Sequence, residues 1–356
     1  MNKTIYSQKK IGFAIIGCGR ICKTHTTVLS QLPDVKIVVV CDVIEERAKE
    51  YAQKYHCDYT TNYHEILKRD DVDVVDICTP TYLHPEMAIN SAKAGKHVIT
   101  EKPMSLSIKE ADKMIEVCNK AGVKLFVVKQ NRYNPPIVKL KEAIDEGRFG
   151  KIYYGNTTVR WYRHQSYYDE SEWFKKFGGG VLINQASHNI DMLRWLMGPV
   201  DSVHAKISTA IHDIDVEDIG IALLKFKSGA LGTIEATTCA YPRNLEGSIT
   251  IMGEKGTVKI GGIQMNETVV WEFQDYRSED GLYSRHSTNP PNVYGYGHIK
   301  VMENVIDTIL NNSSDPVVDG VEGKKSLELI LAIYESAKRG VEIKVSEFLE
   351  GIYKKN

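Results

Sequence analysis

Residues 11–22 read IGFAIIGCGRIC, an apolar run that stops at Gly17 and Gly19 and passes straight into residues with helical spacing. A strand that feeds directly into a helix needs a tight turn, which a glycine at Gly17 permits. A glycine at Gly19 keeps side-chain bulk away from whatever approaches the turn. The helix that opens with Arg20 and Ile21 then offers unpaired N–H groups, which suit a phosphate. The third glycine of this fingerprint is replaced by Cys22, which is small enough to keep helix and strand close. The spacing alone is a weak signal; the strand before it and the helix after it give it meaning.

The same alternation continues outward to about residue 130. KIVVVCD, VDVVDICTP, KHVIT and VKLFVVK are short apolar runs, and EERAKEYAQKYH, PEMAINSAKAG and SIKEADKMIEVCNKAG carry helical spacing between them. Ser107 and Glu110 make a capping-box signature for the last helix, and Gly122 suits its end. Runs rich in Val and Ile that alternate with helices predict a parallel sheet covered on both faces, a Rossmann domain over 1–130. Asp42 closes the second run, about twenty residues past the glycines, where a carboxylate accepts from a ribose hydroxyl and repels a 2′-phosphate. The cofactor this predicts is NAD rather than NADP.

From about residue 150 the texture changes to strand-like runs separated by Gly, Asn and Pro, with one helix over 180–197 and two more near 298–311 and 322–339. Residues 131–356 therefore form an α+β substrate-binding and oligomerisation domain dominated by a mostly antiparallel open sheet. Adjacent apolar positions in IALLKF and SITIM predict that a second subunit covers this sheet. A length of 356 residues favours two cores over one. A net charge of −1 gives no reason to expect a nucleic-acid or membrane partner. The polar opening, MNKTIYSQKK, lacks a signal-peptide core, and no apolar run approaches the ~20 residues of a bilayer span, so the chain reads as cytoplasmic. Seven scattered cysteines argue against a disulfide framework, and no zinc-ligand spacing recurs, so no metal is expected.

TEKPMS, residues 100–105, places Glu101, Lys102 and Pro103 at the end of the apolar run HVIT, and GGGVLINQASHNID opens a helix in the second domain. With the glycine turn, these motifs make the whole chain resemble the Gfo/Idh/MocA oxidoreductase family. The resemblance implies that Lys102 lies beside the nicotinamide and the substrate hydroxyl. It implies that Glu101, Gln130 and the TPTYLH loop, with Thr79, Pro80, Thr81 and His84, line the cofactor. His188 matches the family's helical histidine, while Asn184 stands where the family has an aspartate. Spacing of four places both on one helix face.

KQNRYNPP, RWYRHQSYYDESEW and EATTCAYPRNLEGSITIMGEKGTVKIGG carry a narrower resemblance, to the sugar-nucleotide branch of that family and its UDP-N-acetylglucosaminuronic acid 3-dehydrogenases. It implies a UDP-sugar substrate met by Lys102, Asn131, Arg160, Arg163, Tyr167, Asn184, Gln185, His188 and Tyr241, and a homotetramer or homodimer. Arg160 and Arg163 suit a diphosphate or carboxylate, and Trp161, Tyr167 and Tyr168 suit stacking on a base or sugar. The implied reaction takes a hydride from the carbon bearing the 3-hydroxyl, with Lys102 and His188 as catalytic residues. Recycling of the cofactor by 2-oxoglutarate is left open. So are two rival readings: a dehydrogenase of a free polyol such as inositol, and a non-catalytic NAD-binding sensor.

Overall fold

The computed structural model describes residues 10–176, 178–283, 297–311 and 318–354; most of the polar opening stretch lies outside them. The chain divides into two units, one of residues 1–128 with 298–323, the other of 129–297 with 324–356.

The first unit holds six strands: β1 Ile11–Ile16, β2 Val35–Cys41, β3 Asp58–Thr60, β4 Val74–Ile77, β5 His97–Thr100 and β6 Leu125–Val127. They lie in the order β3-β2-β1-β4-β5-β6, and every pair is parallel. All of β1 and β4 is buried, as a sheet with helices on both faces requires. Fully buried Phe13 and Ile15 each stabilise the fold by roughly 1.5–3 kcal/mol. Helix Ile108–Ala121 ends at Gly122 in the left-handed region, as the sequence predicts. Ser107 occupies its N-cap position but makes no side-chain cap bond; its N–H donates to Ser105 Oγ instead.

Because β1 and β4 are neighbours, the strand order reverses between them, and loops at the carboxyl ends there form the usual ligand crevice of an open parallel sheet. Gly17, Asp42, Thr79 and Glu101 all follow strand ends on that edge. Residues 298–323 belong to this unit, in contrast to the sequence boundary of 131–356. The Val127 N–H donates to the Val318 carbonyl, and Gly320 packs so closely on Leu125 and Ile115 that a Cβ would collide with them.

The second unit holds β7 Ile152–Arg160, β8 Val200–Ser208, β9 Ile219–Phe226, β10 Leu231–Thr237, β11 Glu246–Gly253, β12 Gly256–Gly261, β13 Glu267–Phe273 and β14 Ile343–Lys344. The order is β13-β12-β11-β7-β10-β9-β8-β14, antiparallel except for β7 with β10. Helix Ser187–Met197 lies against β7, where Asn189 bonds Thr157. In β9 the residues alternate between buried and exposed, so the adjacent apolar residues of IALLKF point to opposite faces. Among the described residues no helix is long and apolar enough to cross a membrane.

Candidate active site

The glycine turn is built as its spacing suggests. Gly17 has φ +96°, and a Cβ there would lie 2.8 Å from the Cys78 carbonyl oxygen. Gly19 differs: a Cβ would meet no atom within 4 Å. The protein's own packing therefore does not demand that glycine, whereas the approach of a pyrophosphate does, so the turn fits a dinucleotide. Arg20 is exposed and Ile21 half-buried at the helix start, and Cys22 is fully buried against the sheet. Asp42 Oδ2 accepts from the Cys18 N–H at 2.7 Å, and Oδ1 accepts from the Ile44 N–H at 2.8 Å. One carboxylate thus spans the glycine turn and the start of the next loop, and each oxygen keeps a lone pair for a ribose hydroxyl.

Asp42→Ala should raise the NAD dissociation constant by about tenfold and narrow the preference over NADP. It should also lower the melting temperature, because two N–H acceptors worth about 1 kcal/mol each are lost. Titration with both cofactors alongside thermal melts checks this; unchanged affinities would remove Asp42 from the site.

At the end of β5, Glu101 is buried and both its oxygens are engaged within the protein. Oε1 lies 3.0 Å from His25 Nε2, and Oε2 accepts from the Lys102 N–H at 3.0 Å. The carboxylate expected at the cofactor thus also braces the turn that presents half-buried Lys102. Burial raises the Glu101 pKa, but the His25 hydrogen bond and the charges of His25, His298 and Lys102 outweigh it and hold the carboxyl well below its ordinary range. The expectation for His84 is corrected. It is buried, with ring nitrogens 2.8 Å and 3.0 Å from the carbonyl oxygens of Thr79 and Pro103, so it ties the strand-four loop to the EKP turn. Burial keeps it below the usual histidine pKa. In the same loop Pro80 is exposed, Thr79 half-buried and Thr81 buried.

In the second unit, Gln130 Nε2 lies 3.1 Å from His188 Nε2. The turn carrying Gln130 and half-buried Asn131 is tied to the His188 helix by a buried ion pair, in which Arg132 donates twice to Asp191, at 2.7 and 2.8 Å. Asn184 and His188 do not share one helix. Residues Val181–Gln185 form a π-helical turn, and the α-helix begins at Ser187. Packing requires the triple glycine that leads into this turn. A Cβ on Gly178 would strike the Trp173 ring, one on Gly179 the Phe174 carbonyl, and one on Gly180 would lie 2.6 Å from Glu217 Oε2. The Glu217 carboxyl in turn accepts from the Leu182 N–H at 2.9 Å and from the Tyr334 hydroxyl at 2.8 Å.

On that turn, Asn184 and Gln185 both donate to the Tyr167 hydroxyl oxygen, at 3.2 and 3.0 Å. Arg163 donates to Gln185 Oε1 at 3.0 Å and to Asn244 Oδ1 at 3.2 Å, and its guanidinium lies over the rings of Trp161 and Tyr167. These residues form one cluster of a cation, neutral amides and aromatic faces. Arg160 does not join it. Its guanidinium takes Glu235 bidentately at 2.6 and 2.7 Å and Glu246 at 2.9 Å, on the face of β7 opposite buried Val159. Tyr168 is fully buried with its hydroxyl 2.8 Å from Thr238 Oγ1, so it packs the core rather than stacking on a ligand. Tyr241 is 81% exposed and meets Tyr162 edge to face.

Sequence reasoning missed the residues beneath the EKP turn: His25, Asp76 and His298. A charged residue inside the apolar run VDVVDICTP was the available signal for Asp76. It also missed the grouping of His25, Glu101 and His298, whose side-chain nitrogen and oxygen atoms lie within 4.8 Å of one another, because they come from three separate elements.

Two family models match the chain. One, described as an oxidoreductase family with an NAD-binding Rossmann fold, covers residues 11–129; the other, the GFO/IDH/MocA C-terminal domain, covers 137–259. The chain is similar to the WlbA dehydrogenase from Bordetella pertussis, solved in complex with NADH and UDP-GlcNAcA: 40% identity, TM-score 0.87, over 94% of this chain and 98% of that one. The WlbA dehydrogenase from Chromobacterium violaceum, solved with the same two molecules, gives 41% identity and TM-score 0.89 over 95% and 96%. Myo-inositol 2-dehydrogenase of Thermotoga maritima is 30% identical over 94% of this chain and 98% of its own length.

Proposed function

The chain belongs to the Gfo/Idh/MocA oxidoreductase family, and from that premise we propose that it oxidises the 3-hydroxyl of a UDP-linked N-acetylated glucuronic acid to a ketone. The observation that carries the substrate is the charge pattern around Asn184. Arg163 supplies a cation, Gln185 and Asn184 supply neutral amides, and an amide stands where the wider family has an aspartate. A pocket for an anionic sugar needs that balance, because an uncompensated carboxylate would repel it. Identity of 40% and 41% to two dehydrogenases solved with UDP-GlcNAcA supports the same reading.

NAD, when bound, supplies the hydride acceptor. Lys102 donates a hydrogen bond to the reacting oxygen and stabilises the negative charge that develops on it. His188 takes the hydroxyl proton; with the Gln130 amide turned so that its oxygen accepts from Nε2–H, the ring is oriented and Nδ1 is the nitrogen that receives the proton. Arg163 holds the sugar carboxylate or the diphosphate. The ketone product suits the assembly of di-N-acetylated mannuronic acids for bacterial surface polysaccharides, and 2-oxoglutarate is the proposed acceptor if the cofactor is recycled in place. Substrate deuterated at the 3-position of the sugar tests the reaction directly: deuterium should appear on the reduced nicotinamide. Its retention in the sugar would refute oxidation at that carbon.

A second reading, oxidation of a free polyol, is favoured by the 30% identity to a myo-inositol dehydrogenase over nearly its whole length. It leaves the Arg163 cluster without a role.

Assembly is part of the proposal. Ile221 and Leu223 of β9 and Leu231 of β10 are more than half exposed, and a second subunit is the proposed cover. Light scattering at micromolar concentration should give a dimer or tetramer; a monomeric mass would overturn this.

A further inference from the structure

We propose that His25 is a positioning residue for Lys102, acting through Glu101 as a charged clamp between two buried carboxylates. His25 Nδ1 lies 2.7 Å from Asp76 Oδ2, and Nε2 lies 3.0 Å from Glu101 Oε1. Carboxylate oxygens only accept, and of the forms of histidine only the imidazolium carries two N–H donors. Flanked by two negative carboxylates, rather than by neutral carbonyls as His84 is, the ring is held in its charged form. Asp76, His25, Glu101 and Lys102 then form a chain of alternating sign, negative, positive, negative, positive, that ends at the cation serving the reacting oxygen. Glu101 is the link, since Oε1 is held by the imidazolium while Oε2 holds the Lys102 N–H.

The other groups facing His25 are consistent with this state. Cys78 Sγ lies 3.5 Å from Nδ1, and burial pushes that thiol up to about 12, so it stays neutral. The Cys22 thiol, raised by its hydrogen bond to Cys18 and by burial, is neutral too. His298 packs against His25 with ring centroids 5.4 Å apart, and its Nε2 lies 4.0 Å from Glu101 Oε1. Burial opposes charge on His25, but the charge of Asp76 and the contacts with Asp76 and Cys78 raise its pKa well above the ordinary histidine value. Without an imidazolium, two buried carboxylates would face each other uncompensated, and Glu101 would take up a proton. A neutral Glu101 no longer supports the charge on Lys102.

The proposal rests on the dehydrogenase reading for Lys102, so one arm of its test uses no substrate. In the full chain labelled with 13C at glutamate carboxyls, the Glu101 signal is identified by its loss in Glu101→Gln. In the native protein it should not titrate between about pH 5 and 9, and in His25→Gln its midpoint should fall inside that window. Identical Glu101 titrations in the two proteins would overturn the proposal. In the kinetic arm, His25→Gln should lower kcat about tenfold or more near pH 6 with substrate KM within about threefold, and kcat should recover as pH rises through the new Glu101 midpoint. Glu101→Gln added to His25→Gln should cause little further loss, because both act on one path. A loss equal at every pH, or fully additive losses, would mark His25 as merely structural. Should His25→Gln fail to fold, Asp76→Asn gives the opposite sign. It lowers the His25 pKa, so kcat should be kept at low pH and fall as pH rises; a flat profile would overturn the proposal. If no sugar yields reduced nicotinamide, the functional reading fails while the carboxyl titration still decides the clamp.

Discussion

Lys102→Met should cut turnover by about 10²–10³ while leaving the protein folded and its affinity for NAD within about threefold, because a preorganised donor to a developing oxyanion contributes a few kcal/mol. Methionine has similar length and fills the same space, so the change isolates the ammonium. The backbone should be undisturbed, since the Lys102 N–H is held by Glu101 Oε2 whatever the side chain. The variant does remove the positive end of the charge chain, and Glu101, held down partly by that charge, should then titrate higher. Steady-state kinetics with parallel cofactor titration checks the split. Retention of more than about a tenth of the native rate would contradict a role for Lys102 at the reacting oxygen.

Asn184→Asp should raise KM for UDP-GlcNAcA by about a hundredfold and leave NAD affinity almost unchanged. Two like charges ~5 Å apart repel by roughly 3 kcal/mol at an effective dielectric near 20, before solvent screening. The fold should tolerate the swap: the side chains have the same shape, and the Tyr167 hydroxyl, which accepts from Asn184 at 3.2 Å, can turn to donate to a carboxylate. An uncharged analogue, UDP-GlcNAc, should be a poor substrate of the native protein and lose much less on mutation. A variant that handles both sugars as the native protein does would place Asn184 away from the sugar's charge.

How much of this was legible in sequence depended on whether the signal was local. Gly17, Gly19 and Asp42 follow from spacing along one strand–turn–helix unit, and all sit where that unit predicts. The parallel sheet was legible because strands buried on both faces read as continuous apolar runs. Arg160 was misread although the information existed. Strand alternation sets it on the face opposite buried Val159, where two carboxylates await it from strands far apart in sequence. The break between Asn184 and His188 was invisible because the residue that holds the π-turn, Glu217 accepting from the Leu182 N–H, lies far away in sequence. The His25 clamp was hidden for the same reason: its members lie on a helix, within one strand and just past the end of another, and no spacing rule joins them. The return of residues 298–323 to the first unit shows in a backbone bond from Val127 of β6 to Val318 and in the packing of Gly320 on Leu125, which helical periodicity cannot register.

The most direct test of the substrate assignment is kcat/KM, followed by nicotinamide absorbance, for UDP-GlcNAcA, UDP-GlcNAc and myo-inositol under the same conditions. UDP-GlcNAcA should exceed each of the other two by about a hundredfold or more, the worth of a read carboxylate at roughly 3 kcal/mol. Equal use of the two sugar nucleotides, or turnover of myo-inositol alone, would contradict an anionic sugar-nucleotide site built around Arg163, Gln185 and Asn184.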